Sequence, residues 1–477
     1  MGGLCGTVVA MALKEAEEAF ERGELDRAAA LSQGLVGPEA AHLRGLIAHR
    51  RGDHSAAEAH ILAALAQRDE PLWRANLGIV LLDAGESERA AAQLRQSLAG
   101  DPGQADAHSN LSAALLDLGA LQPALESAAT ALSLEPSMPE AYNNFGAALQ
   151  LQGRLEDSRA AFHAARDLSL DEPEYRFNLG VLDLLEGHTE RGWARYESRR
   201  PPRRPPQRWS GEPLGGAPLL LYAEQGLGDT LQFCRYAPLL AERGERIWLE
   251  VPSVLRPLLG SLSGIRLVTF AEGASAHRSL PLLSLPHVLG QREGDYPAQI
   301  PYLRAEPDRR ALWRHRLPRG ALRVGLCWQG DPTSRADMGR SFPLAQLVAH
   351  LHGIEGLTLI SLQRGAGENQ LGDVPVVHRL PRLDTDPGAF RDTAAVIESL
   401  DLVISADTAV AHLAGALGAR VWVVLRHIPD WRWQLGREDS PWYPTARLLR
   451  QSTHGDWDAP FREIRAALEQ ELNVFRN

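Results

Sequence analysis

The chain has 477 residues, enough for about three domains at roughly 150 residues each. Apolar residues make up 44% and charged residues 23%, which excludes a wholly disordered chain. Fifty basic against sixty acidic side chains leave a formal net charge of −10, so bulk electrostatics give no reason to expect nucleic acid or an anionic membrane surface as a partner.

Three cysteines (Cys5, Cys234 and Cys327) stand far apart, in no CxxC or Cys/His cluster. That argues against a disulfide framework and a structural zinc site, and it fits a reducing cytoplasm. Leu4–Leu13 is mildly apolar but short, lacks a basic leader and runs into the charged stretch Lys14–Arg22. It is not expected to be a signal peptide, and Met11 is an alternative start to Met1. No window reaches the roughly 18 apolar residues of a membrane span, so a cytoplasmic protein is expected.

Glycines recur at Gly23, Gly52, Gly85, Gly119, Gly153 and Gly187, with spacings of 29, 33, 34, 34 and 34. A 34-residue period is that of the tetratricopeptide repeat, a helix–turn–helix unit. In the same phase, Leu77-Gly78, Leu111-Ser112, Phe145-Gly146 and Leu179-Gly180 set a large residue beside a small one. The small residue lets the second helix of the unit come close, and Ala57, Ala90, Ala124, Ser158 and Gly192 do the same on that second helix. About six units are expected over residues 9–196, the first two irregular.

Asn76, Asn110, Asn144 and Asn178 form a ladder 34 residues apart, just before the large–small pair. An amide offers both a donor and an acceptor, so the ladder either holds an extended peptide by its backbone or bonds between neighbouring units. It resembles the ladder lining the superhelix of the eukaryotic O-linked N-acetylglucosamine transferases. The array ends in Arg199-Arg200-Pro201-Pro202-Arg203-Arg204-Pro205-Pro206, read as an extended, solvated linker rather than a nucleic-acid arm.

From residue 217 apolar runs alternate with amphipathic stretches. The first series is Pro218–Tyr222, a helix from Thr230, then Ile247–Val251, Val254–Leu259, Ile265–Thr269 and Leu280–Leu285. After a charged helix at Asp308–Leu317 come Val324–Trp328, a helix from Pro343, Leu357–Leu362, Val374–Val377, a helix over Ala389–Leu400, Leu402–Ser405, a helix over Ala409–Leu417, and Val421–Leu425. Strand–helix alternation predicts two α/β halves with parallel sheets, ligands binding beyond the strand carboxyl ends, and a terminal helix Ala459–Leu472 packed on one half.

Glu224-Gln225-Gly226-Leu227-Gly228-Asp229-Thr230 follows the first strand. It meets neither G-x-G-x-x-G nor a phosphate loop, but it puts a carboxylate on a glycine turn. Asp229 is read either as a reactive carboxylate or as a helix cap. Ser405-Ala406-Asp407-Thr408-Ala409 opens a helix whose amino end is a ready diphosphate site. Asp407 shapes or caps that turn, Thr408 donates to phosphate, and His412 one turn on is either a contact or a packing residue. Asp384-Thr385-Asp386 looks like a metal-binding Asp-x-Asp but lies outside that context. Trp431, Trp433, Trp442 and Tyr443 are read as a stacking surface or as packing between the halves.

Several motifs in order carry a family resemblance: Glu224-Gln225-Gly226-x-Gly228-Asp229, Ser284-Leu285-Pro286, Ile300-Pro301-Tyr302-Leu303, Trp328-x-Gly330, Arg340-Ser341, Ser361-Leu362-Gln363, Asp392-Thr393-Ala394, Asp407-Thr408-Ala409-x-Ala411-His412-Leu413-Ala414, Asp430-Trp431-Arg432-Trp433 and Ser440-Pro441-Trp442-Tyr443-Pro444. They resemble bacterial tetratricopeptide proteins that carry a heptosyltransferase-like domain of glycosyltransferase family 9. The resemblance implies a tetratricopeptide superhelix over 1–196, a linker over 197–212, and a GT-B fold of two Rossmann-like lobes, 213–307 on the acceptor side and 308–477 on the nucleotide-sugar side.

It implies Asp229 as general base, with Gln225, Gly226 and Gly228 on the acceptor side. Arg340, with Ser341 beside it, would grip the donor diphosphate, and Asp407, Thr408, Ala409 and His412 would lie beneath it. Ala409 replaces the glycine of the family's turn. Gln363 and Glu368 are the candidates for ribose or base contacts. No metal or other cofactor is implied beyond the nucleotide-sugar co-substrate.

The expected activity is transfer of a sugar to an acceptor hydroxyl, with inversion favoured. Its acceptor would be a protein or peptide held by Asn76, Asn110, Asn144 and Asn178. The alternatives are a repeat scaffold with a degenerate transferase domain and a transferase acting on a cell-surface saccharide.

Overall fold

The computed structural model describes residues 2–201, 207–333 and 337–476, with side chains over 10–201, 207–333 and 337–473. Most of the arginine–proline run, residues 202–206, therefore lies outside the described residues. The chain forms two compact units, residues 1–175 and 176–477.

The first unit is all helix: α1 (Gly2–Glu21), α2 (Leu25–Ser32), α3 (Pro38–Arg50), α4 (His54–Leu65), α5 (Pro71–Asp83), α6 (Ser87–Gly100), α7 (Ala105–Asp117), α8 (Leu121–Leu134), α9 (Pro139–Leu151) and α10 (Leu155–Leu168). The mildly apolar start and the charged stretch after it are thus one helix. The helices pack in pairs, and the periodic glycine ends the first helix of each pair. At Gly85 φ is +78°, and its N–H reaches the Leu82 carbonyl at 2.9 Å while the next N–H, of Glu86, reaches Leu81 at 2.8 Å. This closure needs a left-handed residue, which glycine adopts without a Cβ clash.

The small residues have the role the pattern predicts. A Cβ on Gly78 would stand 2.6 Å from Leu94, and one on Gly146 would stand 2.9 Å from Phe162. Serine at this place bonds instead: Ser112 Oγ donates to the Ala124 carbonyl at 2.8 Å. Trp73, Leu77, Leu81, Leu94, Leu111 and Leu115 share one buried cluster between the pairs.

The second unit begins inside α11 (Pro173–Leu185), which pairs with α12 (Thr189–Tyr196). This hairpin, the last repeat of the sequence pattern, therefore belongs to the second compact unit. Next come β1 (Pro218–Tyr222), α13 (Leu227–Phe233), α14 (Tyr236–Glu242), β2 (Arg246–Glu250), α15 (Arg256–Leu259), β3 (Ile265–Val268), α16 (Phe270–Gly273), β4 (Arg278–Pro281) and α17 (Leu285–Val288). Their sheet is parallel, in the order β3-β2-β1-β4.

Then follow α18 (Pro307–Arg316), β5 (Leu322–Cys327), α19 (Leu344–Leu351), β6 (Leu357–Ser361), α20 (Arg391–Ile397), β7 (Leu402–Ala406), α21 (Ala409–Ala416), β8 (Val421–Leu425), β9 (Ala446–Arg450) and α22 (Asp458–Arg476). This second parallel sheet runs β6-β5-β7-β8-β9. Val324, Leu326, Ile404 and Val424 lie in the core on it, and Phe461, Ile464 and Leu468 of α22 bury in the same cluster.

Two apolar runs are not strands. Val254–Leu259 is helical, with Pro257 in the first turn of α15, where its missing N–H is not needed. Val374–Val377 is a turn, because Pro375 cannot donate to a ladder, and only His378 makes a bridge to Ile360. No helix among the described residues is long and apolar enough to cross a membrane.

The two sheets are tied through a buried cation. Arg235, between α13 and α14, donates to the carbonyls of Trp442 at 2.7 Å and Pro297 at 2.9 Å. Its guanidinium lies 4.6 Å from the ring centres of both Tyr302 and Tyr443, and carbonyls and π faces stand in for a carboxylate.

Candidate functional site

The loops after β1, β5, β6, β7 and β8 converge on a cavity of about 990 Å³ within the second unit. Its position follows from topology, since strand order reverses at β5/β7 and leaves a crevice beyond the carboxyl ends. Gln225, Gly226, Gly228, Asp229, Arg340, Gln363, Asp407, Thr408, Ala409 and His412 all line it. Of the residues predicted for this site, Ser341 and Glu368 are not in the lining.

Asp229 is in the first turn of α13. Its Oδ2 accepts from the Gly226 N–H at 2.9 Å, so the capping role is present, while Oδ1 accepts from Arg432. Each carboxylate oxygen has a second lone pair, so this pairing leaves acceptor capacity. Gly228 lets α13 approach α21: a Cβ there would be 3.0 Å from the His412 ring and 3.4 Å from Ala409 Cα.

Arg340 is flanked by two carboxylates, with Nη2 2.8 Å from Asp430 Oδ2 and Nε 3.3 Å from Asp407 Oδ2. Arg432 binds the other Asp430 oxygen at 2.8 Å, donates to Gln232 at 2.9 Å and lies 4.1 Å from the Trp431 ring centre. The charges thus alternate along Asp407, Arg340, Asp430, Arg432 and Asp229. Burial alone would raise the Asp430 carboxyl, but Arg432 and Arg340 overcome it and hold Asp430 well below the usual carboxylate range. Arg426, which donates to the Met338 carbonyl at 2.6 Å, is lowered by burial and by Arg340 nearby.

Several predicted contacts have other roles. Thr408, not Asp407, caps α21: its Oγ1 accepts from Val410 N at 3.3 Å, because that hydroxyl sits over the first turn while the Asp407 carboxylate turns to Arg340. Gln363 spends its side chain on loop geometry, accepting from Trp328 N and Gln329 N and donating to the carbonyls of Gln329 and Ala366. Ser341 donates to Asp337 and accepts from Gly330 N, and Glu368 accepts from Gly365 N.

His412 is buried, stacked on Trp433 at 5.3 Å and 3.0 Å from the Tyr443 hydroxyl; burial pushes it down to about 3, so the ring is neutral. Trp431, Trp433, Trp442 and Tyr443 are all buried, which favours packing over an open stacking surface. Asp384 accepts from Asp392 N, Thr393 N and the Thr393 hydroxyl, and Asp386 pairs with Arg309. Among the described residues no group of three or more His, Cys, Asp or Glu is placed to hold a metal ion.

The sequence pattern gave no site role to Arg432, Arg426, Phe177, Val181 or Tyr196, all but Arg426 in the cavity lining. Arg432 had a signal, a cation between two tryptophans two residues after Asp430. Arg199, read as part of a solvated linker, is instead buried: it donates to Glu224 at 2.7 Å and Ser284 at 2.8 Å and so ties the loops after β1 and β4.

In the first unit, Asn76 Nδ2 lies 3.0 Å from His42 Nε2, and Asn144 donates to the Ser109 carbonyl at 3.0 Å. Those partners are one repeat back, which is the inter-unit bonding reading of the ladder. Asn76 and Asn110 also line a groove of about 600 Å³ with Leu72, Ile79, Gln104 and Leu134. Asn178 lies in the second unit and does not line the cavity there.

The tetratricopeptide repeat family model matches residues 76–139. Protein FlbA of Caulobacter vibrioides is 27% identical over 312 residues, 58% of this chain and 52% of that protein, so the chain spans about half the length of this curated relative. Among solved structures, MamA from Desulfovibrio magneticus RS-1 is similar at 22% identity, covering 34% of this chain and 90% of its own, with a TM-score of 0.30. A tetratricopeptide protein of Thermus thermophilus is similar at 22% identity, covering 34% of this chain and 89% of its own, with a TM-score of 0.31. The amino-terminal part of the chain is a tetratricopeptide-repeat array, followed by an α/β region of parallel sheets and helices.

Proposed function

We propose that the chain is a glycosyltransferase of two-lobed, GT-B-like architecture, moving a sugar from a nucleotide-sugar donor to the hydroxyl of a protein or peptide acceptor. The observation that carries this reading is the cavity beyond the strand ends of both sheets, with Arg340 and the amino end of α21 from the second sheet and Asp229 from the first. Donor diphosphate would take guanidinium donors of Arg340 in place of carboxylate oxygens, which is the strong, bidentate kind of contact. Asp430 can yield Arg340 because Arg432 holds its other oxygen. The acceptor oxygen then attacks the anomeric carbon, and the bond from that carbon to the diphosphate oxygen breaks. The electron pair leaves with the nucleoside diphosphate, and the acceptor proton passes to Asp229.

Tetratricopeptide repeats suggest protein–protein interaction, and a second reading follows from the charge pairing. If Arg340 and Asp229 are permanently satisfied by their partners, the unit is a scaffold. Thermal melting with a panel of nucleotide sugars separates the two. A donor at 100 times its Kd should stabilise the native state by about 2.7 kcal/mol. A panel in which no nucleotide sugar raises the melting temperature refutes the transferase reading.

A further inference from the structure

The cavity that holds the Asp229 carboxylate also has an apolar part to its wall, and the helical hairpin supplies some of it. Phe177 and Val181, four residues apart on α11, share a helix face and line the cavity with Tyr196 and Trp431. Both are half-buried, whereas Tyr196 and Trp431 are buried. The Phe177 ring is 5.0 Å from that of Tyr196, which is 5.6 Å from that of Trp431. At the lip stands the exposed Gln225, whose Nε2 donates to the Tyr196 hydroxyl at 3.3 Å.

The wall is fixed in place by its own elements. Trp193 of α12 packs edge-on to Phe233 at 6.0 Å and to Trp431 at 5.1 Å. Thr189 Oγ1 is 3.0 Å from the Tyr296 hydroxyl. A ledge so held, half-exposed and apolar in one cavity with a carboxylate and an amide, suits a ligand with the same combination. A peptide offers an apolar side chain to the ledge and a backbone amide to Gln225.

Building on the transferase reading above, we infer that Phe177 and Val181 form an acceptor subsite selecting a peptide hydroxyl residue flanked by an apolar side chain. The test uses the full chain and whichever nucleotide sugar stabilises it. Serine- and threonine-centred peptides with valine or leucine beside the hydroxyl residue are compared with peptides carrying asparagine or aspartate there. Wild type should prefer the apolar set. Phe177→Gln and Val181→Asn should each raise KM for that set roughly tenfold or more, the discrimination that contacts of this size give. Donor Kd by calorimetry should stay constant in both, and Phe177→Leu should retain the preference.

If Phe177→Gln lowers the melting temperature, Val181→Asn decides alone. A wild type that binds donor without preferring apolar flanks, or variants that keep the preference, overturn the subsite alone. A wild type that binds no nucleotide sugar overturns the transferase reading on which it rests.

Discussion

Replacing Arg432 by methionine keeps most of the side chain's volume and removes its charge. The arginine side chain is 9% exposed and serves Asp229, Asp430 and Gln232 at once. Breaking a buried pair by deleting one partner costs about 3–5 kcal/mol, because a charge is left uncompensated. Here the lower end applies, since Asp430 keeps Arg340 and Asp229 keeps the Gly226 N–H. For a unit of this size, about 3 kcal/mol corresponds to a fall of roughly 5–10 °C in Tm. Tryptophan fluorescence reads this unit almost alone, because Trp73 is the only tryptophan before residue 176. Adding Asp229→Asn to Arg432→Met should restore part of the loss, a coupling of roughly 1–3 kcal/mol for groups in contact. A Tm within about 1 °C of wild type, or two losses that simply add, would show that the ion pair contributes nothing.

Asp229→Asn should lower transfer by about 10²–10⁴ while donor affinity stays unchanged, measured by turnover and calorimetry; full activity would leave Asp229 as a cap only. Asn144→Ala should destabilise the repeat unit by about 0.5–1.5 kcal/mol through loss of its bond to Ser109, read by far-ultraviolet circular dichroism during melting. Gly78→Val should destabilise by more, since even its Cβ would stand 2.6 Å from Leu94; a melting temperature equal to wild type would contradict the close approach. His412 is neutral in the fold down to about pH 3, whereas the unfolded chain takes up its proton near pH 6.5. The unfolded state then binds more protons, so stability falls as pH drops below about 6.5. Replacing the ring by phenylalanine should flatten that slope in the fluorescence melts.

Periodicity made the repeat array legible, because a turn that needs a left-handed residue every 34 positions leaves glycine as its mark. Most strands were legible as apolar runs between breakers. Val374–Val377 misled because its proline counts against pairing only when ladder donors are considered. The missed strand Ala446–Arg450 sets two leucines between arginines, so it lacks a long apolar run. Strand-end loops pointed to the cavity, but pairing within it was not legible. Nothing local to Arg340 announces Asp430, 90 residues away. Gln363 looked like a ligand contact because the chemistry that would bind a ribose is the chemistry that pins a loop.

The hairpin Phe177–Tyr196 has a bearing on where such a chain could be divided. Trp193 and Tyr196 are 1% and 2% exposed, sealed by neighbours in the α/β unit. Severing the chain at the proline-rich run would strip those aromatics of their neighbours and leave an aggregation-prone face on each fragment. A break near residue 172 spares them. Every residue that lines the cavity, from Phe177 to Arg432, then stays on one piece of chain.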